Sequence, residues 1–224
     1  EVKLSIMIRL ALPSPKDRTL KVLCLGAHCD DIAIGCGGTL LHLIDTYREI
    51  EVCWVAFSST DARMKEELEA AKGFLKKVPI KQVIIKKWRD GFLPYHAAEV
   101  KDYFEELKPL FAPDLILTHY RDDRHQDHRV ISELTWNTYR NHLILEYEIP
   151  KYDGDIGSPN LFVPLDEPEC EEKIHIIVSS FASQRGKHWF SKEIFQGLAR
   201  LRAMEAGGGT KYAEAFYTRK LTLN

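Results

Sequence analysis

Two short segments hold the side chains best suited to chemistry. The first, Gly26-Ala27-His28-Cys29-Asp30-Asp31, sets an imidazole beside two adjacent carboxylates. Neighbouring aspartates aimed at one spot repel each other, and a cation near them removes the conflict. Imidazole and carboxylate are both good zinc ligands. The second segment starts at His119 and continues through Arg121-Asp122-Asp123-Arg124-His125-Gln126-Asp127-His128. His125 and His128 are three residues apart, so at a helix start they share one face. One can bind a metal while the other faces a substrate, and Asp127 can orient a ring from behind. Plainer readings exist for both: a polar loop with an N-capping aspartate and a bystander histidine, and a solvated charged turn. A dinucleotide-type phosphate loop fits the first segment poorly. Its glycines do not follow G-x-G-x-x-G, and the acidic pair takes the space a pyrophosphate needs.

The elements around these segments argue for the chemical reading. Residues 20–27 form a near-continuous apolar run, as expected of a strand buried on both faces, and 50–57, 80–86 and 115–119 look similar. Met64, Leu68, Ala71 and Leu75 mark one helix stripe, with Thr60 or Asp61 as N-cap. Val100, Tyr103, Phe104, Leu107, Leu110 and Phe111 mark another, ended by Pro113. Gly35-Cys36-Gly37-Gly38 reads as a tight turn into a helix starting near Thr39, and a further helix is expected from His128 to about Asn141. This alternation predicts a single α/β domain: a Rossmann-like, mostly parallel sheet with helices on both faces. Both His/Asp segments directly follow strands, on the rim where ligands bind in open α/β sheets. Beyond residue 148 the pattern loosens. Residues 149–164 read as a loop with a short strand near its end, 169–181 and 187–204 as helices, Gly207-Gly208-Gly209 as a stop, and 212–221 as a closing strand.

The 224 residues suit one domain with a full core. A net charge of −2 argues against a nucleic-acid partner. No apolar run is long enough for a bilayer span, so membrane insertion is not expected. Residues 2–12 are apolar but carry Lys3 and Arg9, with Pro13 and Pro15 behind them. This is unlike a signal peptide, and an edge strand or an oligomer contact is the simpler reading. The five cysteines are odd in number and lack zinc-finger spacing, which points to a reduced, cytoplasmic setting.

Taken together, the segments resemble the LmbE/PIG-L-type de-N-acetylases. That family carries A-H-P-D-D after its first strand and H-x-D-H after a later one. Here they read Ala27-His28-Cys29-Asp30-Asp31 and His125-Gln126-Asp127-His128. The glycine turn ending at Thr39 resembles the family's own, and Arg63, Glu66 and Ala70 resemble its R-x-x-E-x-x-x-A helix. Ser183-Gln184 and Tyr212–Phe216 resemble weaker C-terminal patterns. Cys29 departs from the family's proline, which removes backbone rigidity and places a thiol near the site. The match runs from about Leu20 to Leu221, so 1–19 is an extension and 20–224 the deacetylase-like domain.

The resemblance implies a zinc-dependent hydrolase that removes an N-acetyl group from an amino sugar of the N-acetylglucosamine type. His28, Asp31 and His128 would bind zinc, Asp30 would be the general base, and His125 would stabilise the oxyanion. Either Asp30 or His125 would protonate the leaving amine. Iron, cobalt or nickel could replace zinc. Arg63 becomes a candidate for gripping substrate hydroxyls or a phosphate, unless it pairs with Glu67 at i,i+4. Asp90, in the Trp88-Arg89-Asp90-Gly91 loop, could accept sugar hydroxyls, unless it merely forms a turn. Tyr120, Tyr147 and Tyr152 could form a stacking wall, or could be packing. A homo-oligomer is compatible with the sequence. Competing readings are an ester or phosphoester hydrolase, a non-catalytic metal-binding relative, and a nucleotide-binding domain.

Overall fold

The apolar runs 20–27, 50–57 and 115–119 become buried strands whose two-residue periodicity divides the core, whereas 80–86, expected to be buried on both faces, lies in a half-exposed strand because it sits at the edge of the sheet. In the computed structural model, which describes Leu12, residues 19–47 and residues 49–222, β1 (Leu20–His28) lies between β2 (Ile50–Ser58) and β4 (Leu115–His119). Val22, Cys24, Val52 and Trp54 face one side of the sheet, and Leu23, Leu25, Cys53, Val55 and Phe57 the other. Seven strands run in the order β3-β2-β1-β4-β5-β7-β6, where β3 is Ile80–Trp88, β5 Leu143–Tyr147, β6 Leu161–Leu165 and β7 Tyr212–Thr218. The first five are parallel, while β7 pairs antiparallel with both β5 and β6. Helices α1 (Asp31–Thr46), α2 (Asp61–Phe74), α5 (Glu167–Ser180) and α6 (Lys192–Ala206) contribute to one face. On the other face pack α3 (Ala97–Leu110) and α4 (Gln126–Tyr139). The expected α/β architecture with helices on both sides is present.

After β1 the chain moves outward to β2 and β3, then crosses back to β4 on the other flank of β1. The register Val22↔Leu115, Leu23↔Ile116 and Cys24↔Leu117 brings the ends of β1 and β4 to the same rim. This is the topological switch point of the sheet, where loops diverge and leave a crevice. The His28 and His119 segments therefore meet although about ninety residues separate them.

Several expected boundaries move. Gly35-Cys36-Gly37-Gly38 is not a turn before a helix: α1 already starts at Asp31 and runs through all three glycines. The glycines are needed for close packing instead. A Cβ at Gly35 would lie 2.2 Å from the Tyr147 ring, one at Gly37 2.7 Å from Phe74, and one at Gly38 2.5 Å from Leu165. Helix α4 starts at Gln126 rather than after His128, because the His125 side chain caps it by accepting from Asp127 N. Helix α5 starts at Glu167, set by a reciprocal capping box between Asp166 and Glu169. Helix α6 starts at Lys192, capped by Ser191, so 187–191 are not helical. The closing strand stops at Thr218, and β5 was not foreseen. The reading of 2–12 as an edge strand or oligomer contact, and the extension 1–19, lie outside the described residues except for Leu12 and Thr19. Among the described residues, no helix is long and apolar enough to cross a membrane.

Candidate active site

The turn between β1 and α1 is strained and held from outside. Asp30 has φ 105° and ψ −26°, a left-handed conformation for a residue with a side chain. Such a backbone costs about 1–3 kcal/mol and persists only when its surroundings enforce it. Helix α2 supplies the enforcement. Glu67 Oε2 accepts from Asp30 N at 2.9 Å, while Glu67 Oε1 accepts from Trp54 Nε1 at 2.6 Å. One turn earlier, Arg63 donates to Cys29 O and pairs with the Asp30 carboxylate at 2.8 Å. Ser58 Oγ adds a bond to Ala27 O. Cys29 is buried and its thiol points to Ser58 O, and burial pushes its pKa far up. The thiol stays neutral and directs its hydrogen to Ser58 O.

Three donors converge beside this turn. His28 Nδ1 lies 3.1 Å from His128 Nε2 and 3.3 Å from Asp31 Oδ2, while Asp31 Oδ1 lies 3.5 Å from His128 Nε2. Ligands about 2.0–2.1 Å from a tetrahedral ion stand about 3.3–3.4 Å from one another. The distal nitrogens are already engaged. His28 Nε2 faces Asp127 at 3.1 Å and Asp90 at 3.1 Å, and His128 Nδ1 faces Asp123 at 2.9 Å. With N–H groups committed there, both proximal nitrogens present lone pairs toward a carboxylate and need a cation between them. The titration tendencies of the two rings differ. Burial works against a charged His28, but Asp31, Asp127 and Asp90 outweigh it and raise its pKa well above the usual value. Burial, with His119 next, pushes His128 down to about 4. The donor chemistry fits a divalent ion.

His119 stands behind these donors. Its Nε2 accepts from Ala27 N at 2.9 Å, lies 3.1 Å from Asp31, and its ring stacks on His128 at 3.9 Å between centroids. Its lone pair is thus spent on the backbone, although Asp31, His119 and His128 lie close enough to form a donor group. Asp123 receives His128 Nδ1, His125 N and Lys151 Nζ. Burial would raise its pKa, but His128 and Lys151 are among the neighbours that hold it below the usual carboxylate range. Asp127 is fully buried and also accepts from Gly91 N and Leu93 N, which fixes the loop carrying Asp90.

Asp30 and His125 flank the donors. Burial pushes Asp30 up to about 7, against the pull of Arg63 and with the push of Asp31. His125 rings lie 4.6 Å from His28 and from His128, and burial followed by those two neighbours lowers its pKa. Because its Nδ1 accepts from Asp127 N, the neutral ring carries its proton on Nε2. Asp90 sits at the mouth, its side chain 78% exposed. Arg63 does not pair with Glu67 as its spacing suggested. It is occupied by Asp30, Cys29 O, Glu66 and Ser183. The three tyrosines form no common wall. Tyr147 is buried with its hydroxyl on Leu25 O, Tyr120 stacks on Tyr217, and Tyr152 is exposed. Sequence reasoning gave Glu67, Trp54, Asp123 and Lys151 no role here. Asp123 lay in the charged segment, where its distance from His128 at i+5 gave no hint of contact.

The family model of GlcNAc-PI de-N-acetylases, PIG-L, matches residues 23–139. Among solved structures, N,N'-diacetylchitobiose deacetylase from Pyrococcus horikoshii is 23% identical, with a TM-score of 0.69 over 93% of this chain and 87% of that one. The 4-carboxy-2-hydroxymuconate hydratase GalB from Pseudomonas putida is 17% identical, with a TM-score of 0.73 over 92% and 99%. The zinc-inhibited form of teicoplanin deacetylase Orf2 is 15% identical, with a TM-score of 0.65 over 88% and 97%. At these identities the likeness establishes the fold, which deacetylases share with a hydratase.

Proposed function

This chain belongs to the GlcNAc-PI de-N-acetylase family, and on that premise we propose that it hydrolyses the N-acetyl group of an amino sugar of the N-acetylglucosamine type. The observation that carries the reading is the convergence of His28 Nδ1, Asp31 and His128 Nε2 within 3.1–3.5 Å, flanked by a buried carboxylate and a neutral imidazole. These three residues would hold zinc, or another divalent ion that such ligands accept. When bound, the ion supplies Lewis acidity that polarises an amide carbonyl and eases the deprotonation of water.

The remaining work falls to side chains. Asp30 takes the proton of the attacking water as general base, with Arg63 holding its carboxylate in place. Water oxygen bonds to the acetyl carbon, the carbon–nitrogen bond breaks, and the proton passes to the sugar amine from Asp30 or His125. His125 Nε2–H donates to the oxygen that gains charge. Asp127 and Asp123 fix the His28 and His128 rings. Asp90, at the mouth, accepts a sugar hydroxyl.

The test is release of acetate and free amine from N-acetyl sugars by zinc-loaded protein. Both products should appear in equal amounts, vanish with EDTA and return with added zinc. Hydrolysis that continues after complete removal of divalent ions would defeat the reading, as would the absence of acetate release across such sugars.

A further inference from the structure

The paired register of β1 and β4 ends at Cys24↔Leu117, although β1 runs on to His28 and β4 to His119. Beyond that point a side chain takes over from the ladder. Nε2 of the fully buried His119 accepts from Ala27 N at 2.9 Å. Ala27 directly precedes His28, so this bond holds the backbone that carries the first imidazole. The face of the same ring lies on His128, with centroids 3.9 Å apart and planes 17° apart. His119 therefore touches both donor loops at once, one through an in-plane nitrogen and the other through its ring face.

The ring has no room to give way. Tyr147 stands against it edge-on, 4.8 Å between centroids, with its hydroxyl anchored on Leu25 O at 2.6 Å. Tyr147 is itself stopped by α1, where Gly35 packs on its ring with no space for a methyl group. Packing alone would not select a histidine here. His119 Nδ1 is buried without a hydrogen-bond partner among the described residues, and an unpaired buried polar nitrogen is costly. A phenylalanine would fill the same space without that cost, but it would leave Ala27 N without its acceptor.

We infer that His119 is a positioning residue: a spacer that sets the separation of the His28 and His128 rings, and through it their affinity for a divalent ion. It is not a ligand, because its Nε2 lone pair is given to Ala27 N. This role rests on the proposed zinc-binding donors, whichever amide is hydrolysed beside them.

The experiment measures zinc affinity by competition with a chelator, on the full chain, at a temperature where circular dichroism shows each variant folded. His119→Ala loses both contacts and should bind zinc about 10- to 100-fold more weakly, the usual effect of removing a group that orients a metal ligand. His119→Phe keeps the ring face, and His119→Gln keeps an acceptor near the place of Nε2, so each should recover part of the loss. Cobalt(II) in place of zinc should give a visible absorption band of wild-type intensity per bound ion in all three, because every donor remains. Affinity within about threefold of wild type in His119→Ala, or in both His119→Phe and His119→Gln, overturns the role. Zinc lost from His119→Gln as completely as from His128→Ala, with an altered cobalt band, would make His119 a ligand and overturns it too. Wild type that binds no divalent ion defeats this role and the proposed function together. Intact binding without deacetylation defeats only the proposed function.

Discussion

Glu67→Gln should uncouple catalysis from metal binding. The Glu67 side chain is fully buried, and its two oxygens serve two N–H donors, Trp54 Nε1 at 2.6 Å and Asp30 N at 2.9 Å. Glutamine keeps the volume and one oxygen but turns an N–H₂ toward the other donor. The fully buried Trp54 ring in β2 cannot retreat, so the remaining oxygen stays with it. Asp30 N then loses its acceptor, at a cost of about 1–3 kcal/mol. Its backbone at φ 105° can escape by relaxing, which also releases about 1–3 kcal/mol of strain. If the native turn becomes disfavoured by about 2 kcal/mol, the competent population falls roughly thirtyfold, since about 1.4 kcal/mol is a factor of ten. We therefore expect kcat to fall about 10- to 100-fold. Zinc content should stay near wild type, because Asp31 heads α1, whose seat is held from outside the turn by Glu214 on β7. The melting temperature should drop by about 4–8 °C at most. Adding Trp54→Phe removes the competing donor and frees the glutamine oxygen for Asp30, so the double variant should recover part of the lost kcat. Steady-state deacetylation and metal analysis on the same preparations decide the matter. Glu67→Gln with more than half the wild-type kcat refutes the reasoning, and so does activity lost in proportion to zinc.

Three further substitutions probe the scheme. Asp30→Asn should retain one equivalent of ion by metal analysis while kcat falls about 10²–10⁴-fold, the usual worth of a general base. His128→Ala should lose the ion on dialysis against micromolar chelator, because two donors remain where three converged. Glu214→Ala should destabilise the fold by about 3–5 kcal/mol and lower the melting temperature by about 6–20 °C, because it strands buried Lys173 and the two α1 amides that Glu214 accepts.

How much the sequence revealed depended on how local each interaction is. The parallel strands were readable because a strand buried on both faces must be apolar throughout, and β1, β2 and β4 are. The His28 and His125 segments were readable as partners because each comes directly after such a strand. The glycine run misled because a turn is the local preference of glycine, whereas its cause here is the approach of Tyr147, Phe74 and Leu165 from distant parts of the chain. Arg63 and Glu67 misled in the same way. Their i,i+4 spacing suggests a surface ion pair, and only tertiary packing turns both toward Cys29 and Asp30. The β5, β6 and β7 arrangement escaped because antiparallel edge strands are short and their pairing crosses the chain order.

Every proposed ligand and catalytic group lies before residue 139, where the family match ends, yet the geometry depends on the C-terminal part of the chain. Lys151 pairs with Asp123, which fixes the His128 ring. Ser183 donates twice to Glu66, whose carboxylate also meets Arg63, which in turn grips Asp30. Glu214 on β7 accepts from Gly38 N and Thr39 N in the middle of α1, and Lys173 holds both Glu214 and Ile34 O. Helix α1 starts with Asp31, so its seat on the second half sets where that carboxylate stands relative to two imidazoles from other loops. A tolerance of a few tenths of an ångström among three donors cannot come from loops alone. The irregular C-terminal half is therefore a brace, and the weak Ser-Gln and Glu-x-Phe patterns mark the points where it bears on the site.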